Sequence, residues 1–237
     1  MGEVEQGPLS TAAYRDYWRR KQLVARFPAC RLLHWWDTEG LCEAERVLFE
    51  ELRDAGSLLD FGAGDLRVMR KLCQAGFRGE YHTLDIGSEY SHTYRDLSEV
   101  QREYEAILCL DVIEHLPLNP GLELLERLAG LLTPGGVLVV QTPNARSIHF
   151  PLGVDMTHVQ CYNASDLWAY LSCLDLNVNP YRVVFEQPTR SPVEKAMRVW
   201  RHFVVTRWLG CDFADNILLI GRKTNLQRMS SKDEPER

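Results

Sequence analysis

The chain has 237 residues, 45% of them hydrophobic and 25% charged, with a formal net charge of -6. That length predicts one large domain with small additions and a substantial core, and the acidic balance excludes nonspecific nucleic-acid binding as a main role in favour of a small-molecule partner. No apolar stretch is long enough for a membrane span, the opening Met1-Gly2-Glu3-Val4-Glu5-Gln6 is acidic where a secretory signal is basic and then apolar, and Gln6 breaks the myristoylation pattern, so a cytoplasmic location is expected.

Residues 1–55 read as a helical region. Tyr14, Tyr17, Trp18, Leu23, Val24 and Phe27 recur at mostly helical spacing, His34-Trp35-Trp36 follows, and a helix opens at Thr38 with Leu41, Leu48 and Leu52 inward. The aromatic residues suit a lid that keeps water from a site, or a stripe that packs on a sheet.

Ser57 to Arg67 then gives an apolar strand, 57–61, that ends on a carboxylate and runs into Gly62-Ala63-Gly64 before a helix over 66–75. Glycines there let the backbone turn tightly against a ligand, and the helix start offers unpaired N–H groups. The dinucleotide fingerprint would need a glycine where Arg67 stands, which disfavours a nicotinamide-dependent reductase. Asp60 would repel a pyrophosphate but suits a ligand carrying an ammonium and a sulfonium, as S-adenosylmethionine does. The helix places Leu66, Met69, Leu72 and Cys73 on one face, and a second strand, 81–85, ends in Asp85, placed to take both ribose hydroxyls with Ile86 beside it.

A short third strand ending near Asp96, a strand over 106–111, a helix over 121–132, a strand over 136–141 and strands at 181–185 and 216–221 complete the pattern. Asn163 reads as the N-cap of a helix from Ala164 to Cys173 that directs Thr157-His158 toward the mouth of the site. Between the last two strands, 192–209 interleaves Lys195, Arg198, Arg201, His202 and Arg207 with Val199, Trp200, Phe203, Val204 and Trp208, a basic amphipathic helix. Packing over an acceptor pocket is its default reading; contact with a phosphate-bearing or lipid-linked acceptor and peripheral docking on an anionic membrane are the alternatives. Residues 224–237 are polar and expected to be disordered. The seven cysteines form no Cys-x-x-Cys pair and read as reduced thiols, several of them in the core.

Asp60-Phe61-Gly62-Ala63-Gly64 resembles the acid-x-Gly-x-Gly motif of class I S-adenosylmethionine-dependent methyltransferases, although Asp65-Leu66 stands where the family usually has x-Gly. The strand through Leu110 and Asp111 into Glu114-His115, and the Leu132-Thr133-Pro134-Gly135-Gly136 turn, resemble further segments of the same family. Gln141-Thr142-Pro143-Asn144 with Thr157-His158 and Tyr162 is similar to the branch holding ubiquinone-biosynthesis O-methyltransferases and methyltransferases of bacterial surface sugars.

The resemblance covers about residues 55–185 and implies a Rossmann-like α/β fold: a seven-stranded mixed sheet with strand seven antiparallel, helices on both faces and an N-terminal helical lid. The domains expected are a lid over 1–55 and a core over 56–223 with a helical insertion near 192–209. It implies methyl transfer to a small-molecule acceptor, most plainly at a hydroxyl oxygen, with S-adenosylhomocysteine as product. The cofactor residues implied are Asp60, Gly62, Ala63, Gly64, Asp85, Ile86, Asp96, Leu110 and Asp111. Tyr14, Trp18, Trp36, His149 and Tyr162 are expected at the acceptor, and His158, then His115, as the base. Asp111, Glu114 and His115 fit the acid-x-x-Glu-His pattern with which some phenol-methylating relatives hold a divalent metal, but many members carry Glu-His without one and no metal is expected. A noncatalytic S-adenosylmethionine-binding partner subunit is the alternative of a different class. Oligomeric state is not legible.

Overall fold

In the computed structural model, residues 11–187, 189 and 191–224 are described. Seven strands form one sheet: β1 (Arg31–His34), β2 (Ser57–Phe61), β3 (Glu80–Leu84), β4 (Tyr104–Leu110), β5 (Leu132–Pro143), β6 (Leu176–Val184) and β7 (Asn216–Lys223). Their order is β1-β6-β7-β5-β4-β2-β3, with β7 antiparallel to both neighbours and every other pair parallel. Among the described residues the α-helices are α1 (Tyr17–Val24), α2 (Glu43–Leu52), α3 (Arg67–Ala75), α4 (Leu118–Gly130), α5 (Ala164–Cys173) and α6 (Pro192–Val204).

The central strands are apolar on both sides because both sides are covered. Leu59, Ile107, Cys109, Leu138, Val140 and Leu219 meet Leu125 and Leu128 of α4 and Leu167 and Leu171 of α5. The alternate residues Leu58, Ala106, Leu108, Val137, Val139 and Leu218 meet Leu48 and Leu52 of α2 and Leu72 of α3. A strand's period of two thus assigns each residue to one of two cores.

Two expectations fail at the sheet edges. The strand proposed to end near Asp96 reduces to a single bridge between Leu84 and Tyr94, because the chain turns at once into a short 3-10 helix that the Asp96 carboxylate caps through Ser98 N, 2.7 Å. The seventh strand comes instead from the region expected to be a helical lid: Arg31–His34 pairs parallel with β6, and buried Leu33 anchors it. Residues 11–55 are therefore mixed. β1 and α2 belong to the sheet and its covering layer, while α1 lies against α5, with Phe27 edge-on to Trp168 at 5.7 Å and Arg20 over Tyr170.

On α3 Cys73, expected on the inward face, is exposed, whereas Lys71 is buried beside Leu72 and its ammonium meets Glu45 of α2 at 2.8 Å. Glu45 also receives Cys42 N at 2.8 Å in a capping box that starts α2, five residues beyond the expected opening at Thr38. All seven cysteines are free. The expected disordered tail lies outside the described residues except for Thr224, which bonds the Asp175 carbonyl. Among the described residues, no helix is long and apolar enough to cross a membrane.

Candidate functional site

Chain order reverses between β2 and β4: β3 follows β2 on one side of it and β4 pairs on the other, so a crevice opens beyond the carboxyl ends of these two strands. Gly62 turns there with φ +78°, and a Cβ on it would lie 2.3 Å from Val112 Cγ2. That contact is the physical reason for a glycine: the turn after β2 is pressed against the turn after β4. Gly64, φ +46°, differs, since a Cβ there would meet no protein atom within 4 Å. Its N–H donates to Asp85 Oδ2 at 2.8 Å, and Asp85 Oδ1 accepts from Gly87 N at 2.7 Å, so the carboxylate ending β3 fastens the glycine turn to its own loop. The N–H groups of Gly62 and Ala63 both donate to the Leu84 carbonyl. Ile86 stands open to solvent beside them, 90% exposed.

Asp60 is placed otherwise than expected for direct ligand contact. It is 3% exposed, beneath the turn, and accepts from the Tyr81 hydroxyl at 2.8 Å. Burial pushes its carboxyl up to about 6, with the Tyr81 bond opposing and the charge of Asp85 adding to the rise. Asp96 spends its carboxylate on the cap described above.

After β4 the chain makes a second turn at Asp111, which adopts φ +53°. Its two carboxylate oxygens accept from Gln141 Nε2 at 2.9 Å and Asn216 Nδ2 at 2.7 Å, tying β4, β5 and β7 at one point. Three residues on, Glu114 is buried. Its Oε2 accepts from Thr142 Oγ1 at 2.9 Å, and its Oε1 is buried with no hydrogen-bond partner. Burial first, and the Asp111 charge second, push the Glu114 carboxyl up to about 8.

His115 and His158 meet beside it, ring centroids 5.0 Å apart, and ligand atoms of Glu114, His115 and His158 all lie within 4.8 Å of one another. The hydrogen bonds assign the tautomers. His158 Nδ1 lies 3.0 Å from the Pro151 carbonyl, which only accepts, so Nδ1 carries the proton. Thr157 donates its hydroxyl to Asp155 at 2.6 Å and accepts from His115 Nδ1 at 2.9 Å. With Nδ1 engaged as a donor, it is Nε2 of each ring that is left to act as a base or a metal ligand.

The cluster opens on a cavity of about 210 Å³ lined by Asp111, Glu114, His149, His158, Phe185 and Asp215, among others. His149 Nδ1 contacts Asp215 Oδ1 at 2.5 Å, and Asp215 Oδ2 accepts from Phe185 N at 2.7 Å, so the wall is braced between the loop after β5 and the ends of β6 and β7. The remaining expected acceptor residues are elsewhere. Tyr14 and Tyr162 line a second cleft of about 390 Å³ with Tyr17, Arg20, Lys21 and Gln160. Trp18 is exposed and stacks edge-on with Tyr17, and Trp36 packs against the α2 core. The residues missed by sequence reasoning are Glu114 as an acid-base group, Phe185, Asp215 and Asn216; the Asp-x-x-Glu-His spacing and the Asp-Asn pair at the start of β7 were the signals on offer.

Comparison with known proteins gives the family and the fold. The pattern of the methyltransferase domain family matches residues 33–207. No curated protein matches the chain. Among solved structures the chain is similar to a SAM-dependent methyltransferase from Archaeoglobus fulgidus, TM-score 0.56 at 17% identity over 89% of this chain and 98% of that one. It is also similar to an O-methyltransferase family protein from Burkholderia thailandensis, TM-score 0.53 at 14% identity over 77% and 56%. A third is the plantazolicin methyltransferase BpumL in complex with SAH, TM-score 0.51 at 15% identity over 76% and 82%. At such identities these likenesses establish the fold.

Proposed function

The chain belongs to the class I S-adenosylmethionine-dependent methyltransferases, and within that family we propose that it methylates a hydroxyl oxygen of a small molecule held in the cavity beside His158. The observation that carries this reading is the cluster of Glu114, His115 and His158, which sets the His158 imidazole and a buried carboxyl at the wall of that cavity with the His115 ring against His158. S-adenosylmethionine supplies an electrophilic methyl on a sulfonium. The space over Gly64 that a Cβ would fill, and Asp85 fastened beneath it, support holding it at the crevice between β2 and β4.

His158 Nε2 takes the hydroxyl proton as the oxygen gains the methyl. Glu114, once ionised, stabilises the imidazolium that results, and Thr142 holds that carboxylate in place. His149, held by Asp215, and Phe185 line the wall, so the acceptor meets one polar and one apolar side. A hydroxyl acceptor suits the site because its oxygen becomes a strong nucleophile on losing its proton, and the site supplies a base for that step.

The same cluster also fits a divalent cation. Unpartnered Glu114 Oε1 and the two ring nitrogens form a one-carboxylate, two-imidazole donor set, with His158 in the place sequence reasoning gave to Asp111, whose oxygens are taken by Gln141 and Asn216. Such an ion would acidify an acceptor hydroxyl; the roles of His149, Phe185 and Gly64 are the same with or without it. The test is methyl transfer from S-adenosylmethionine to a panel of sugars and phenols by the wild type and His158→Ala. Turnover that disappears in the variant while S-adenosylhomocysteine still binds supports the reading, and undiminished turnover overturns it.

A further inference from the structure

The insertion between β6 and β7 packs the wrong way round for an ordinary surface helix. Such a helix turns its apolar stripe to the core. On α6 the side turned to the body is largely polar: Glu194 and Arg198 are half-buried, Arg201 lies over the Phe213 ring at 4.6 Å, and the Arg198 guanidinium meets Glu186 at 3.0 Å and Glu194 at 2.6 Å and also donates to the Gln187 carbonyl. Val193, Met197 and Trp200 follow one i, i+4, i+7 line on the opposite side, with Val199 and Phe203 next to it. Together with Trp208, in the π-helical turn Val205–Leu209 that extends α6, these residues are between 58% and 80% exposed. Sequence reasoning took packing over the acceptor pocket as the default for this helix, and the exposure removes that reading.

A second apolar group adjoins it. Phe150, Val154 and Met156, on the loop after β5, are exposed, and Val154 shares the wall of the 210 Å³ cavity with Phe185, one residue before the Glu186 that holds Arg198. The two segments are tied at their other ends as well, since Arg146 donates to the Gly210 carbonyl at 2.6 Å and Ser147 bridges to Asp212.

We propose that α6 and the loop after β5 form a docking surface for an anionic lipid bilayer. The charges decide the occupant. Lys195 and Arg201 flank the apolar stripe and Arg207 precedes Trp208, while the one acid of the helix, Glu194, is held by Arg198 and Thr189. A convex apolar helix rimmed by cations, with tryptophans along it, lies flat in a membrane interface. The chain as a whole carries a net charge of -6, so the cations of this patch favour an orientation that turns it toward an anionic bilayer. A second copy fits less well, because two-fold pairing of this face would set Lys195 and Arg201 against their own copies. Docked in this way, the protein presents the Phe185 and Val154 edge of the cavity to the lipid surface. The inference does not depend on which atom is methylated.

The experiment is sedimentation of the full chain with phosphatidylglycerol vesicles and with phosphatidylcholine vesicles, read together with tryptophan emission. The expected result is pelleting with phosphatidylglycerol accompanied by a blue shift, and at least about tenfold weaker partition to phosphatidylcholine. Trp200→Glu with Phe203→Glu should abolish pelleting. Lys195→Glu with Arg207→Glu should weaken it at least about tenfold on phosphatidylglycerol alone. All these positions are exposed, so circular dichroism should be unchanged. Absence of pelleting, equal partition to both lipids, or pelleting unaffected by Trp200→Glu with Phe203→Glu would overturn the proposal. So would a stable dimer that Trp200→Glu converts to monomer, since a second copy would then own the face.

Discussion

Thr142 and Glu114 are joined by a 2.9 Å hydrogen bond in a fully buried setting, and that bond is the described partner of a carboxyl whose other oxygen is orphaned. Thr142→Val keeps the shape and removes the donor. The donor favours the ionised form, so its loss should move the Glu114 pKa above its value of about 8. The acid limb of methyl transfer, along which activity rises as Glu114 ionises, should shift to higher pH by the same amount, and a pH profile of kcat/KM in the two proteins checks it.

Glu114 should also set part of the stability profile. Its folded pKa, about 8, lies above the ordinary glutamate value of 4.5, so the folded state binds the proton more tightly than the unfolded state. The stability this contributes is complete below about 4.5 and is lost as pH rises through about 8, at up to about 1.4 kcal/mol per pH unit. Glu114→Gln cannot ionise and should flatten that decline. Urea midpoints of both proteins across this window measure it, and parallel curves would contradict the assignment of burial as the cause.

His158 and His115 should separate in kinetics. Both present Nε2, but among the two only His158 lines the cavity. His158→Ala should lower kcat about 10²- to 10⁴-fold, the range of a lost general base, with S-adenosylmethionine affinity unchanged. His115→Ala, which loses the Thr157 contact, should cost less. Steady-state rates with calorimetry of cofactor binding distinguish the two, and equal losses would point instead to both rings acting as ligands to one ion.

The two glycines of the turn should fail differently. Gly62→Ala drives a methyl to 2.3 Å from Val112 at a left-handed φ, and the side chain it meets is wedged between turns. It should destabilise by at least about 1–3 kcal/mol. Gly64→Ala meets no protein atom, so it should cost about 1–2 kcal/mol from its left-handed φ alone. Its methyl enters the space proposed for the ligand, so affinity for S-adenosylhomocysteine should fall more than stability does. Thermal melts beside calorimetric titrations would reveal the contrast.

How far these features were legible depends on how local their causes are. α5 runs from Ala164 to Cys173 as expected because its cap is Asn163, whose side chain accepts from Asp166 N, and its apolar spacing is internal. The β2 strand and glycine turn were equally readable. β1 was not, because four residues with one buried leucine carry no period, and their partner is β6, far along the chain. The strand near Asp96 was misread because an extended stretch gives no sign that it will make one bridge and stop. Periodicity gave α6 its amphipathic stripe, but which side faces the body is decided by Arg198 meeting Glu186, a tertiary fact. In the site, the Asp-x-x-Glu-His spacing marked the right turn and named Asp111 as a potential ligand, whereas Gln141 and Asn216 engage that carboxylate and His158 arrives from a different loop.

The buried pair of Glu45 and Lys71 shows the same dependence on distant partners and gives the last test. The side chains are 3% and 9% exposed and 2.8 Å apart, and Glu45 also caps α2 through Cys42 N. Taking both charges out of water costs most of what their attraction returns, so the pair adds little net stability. Removing one partner is another matter, because the remaining charge is buried alone. Lys71→Met should therefore destabilise by about 3–5 kcal/mol. Lys71→Met combined with Glu45→Gln should recover most of the loss, since the neutral amide can still accept from Cys42 N while no charge is stranded. Denaturant unfolding of the single and double variants measures the coupling, and a double variant no more stable than the single one would place the cost in packing around α2 and α3 instead.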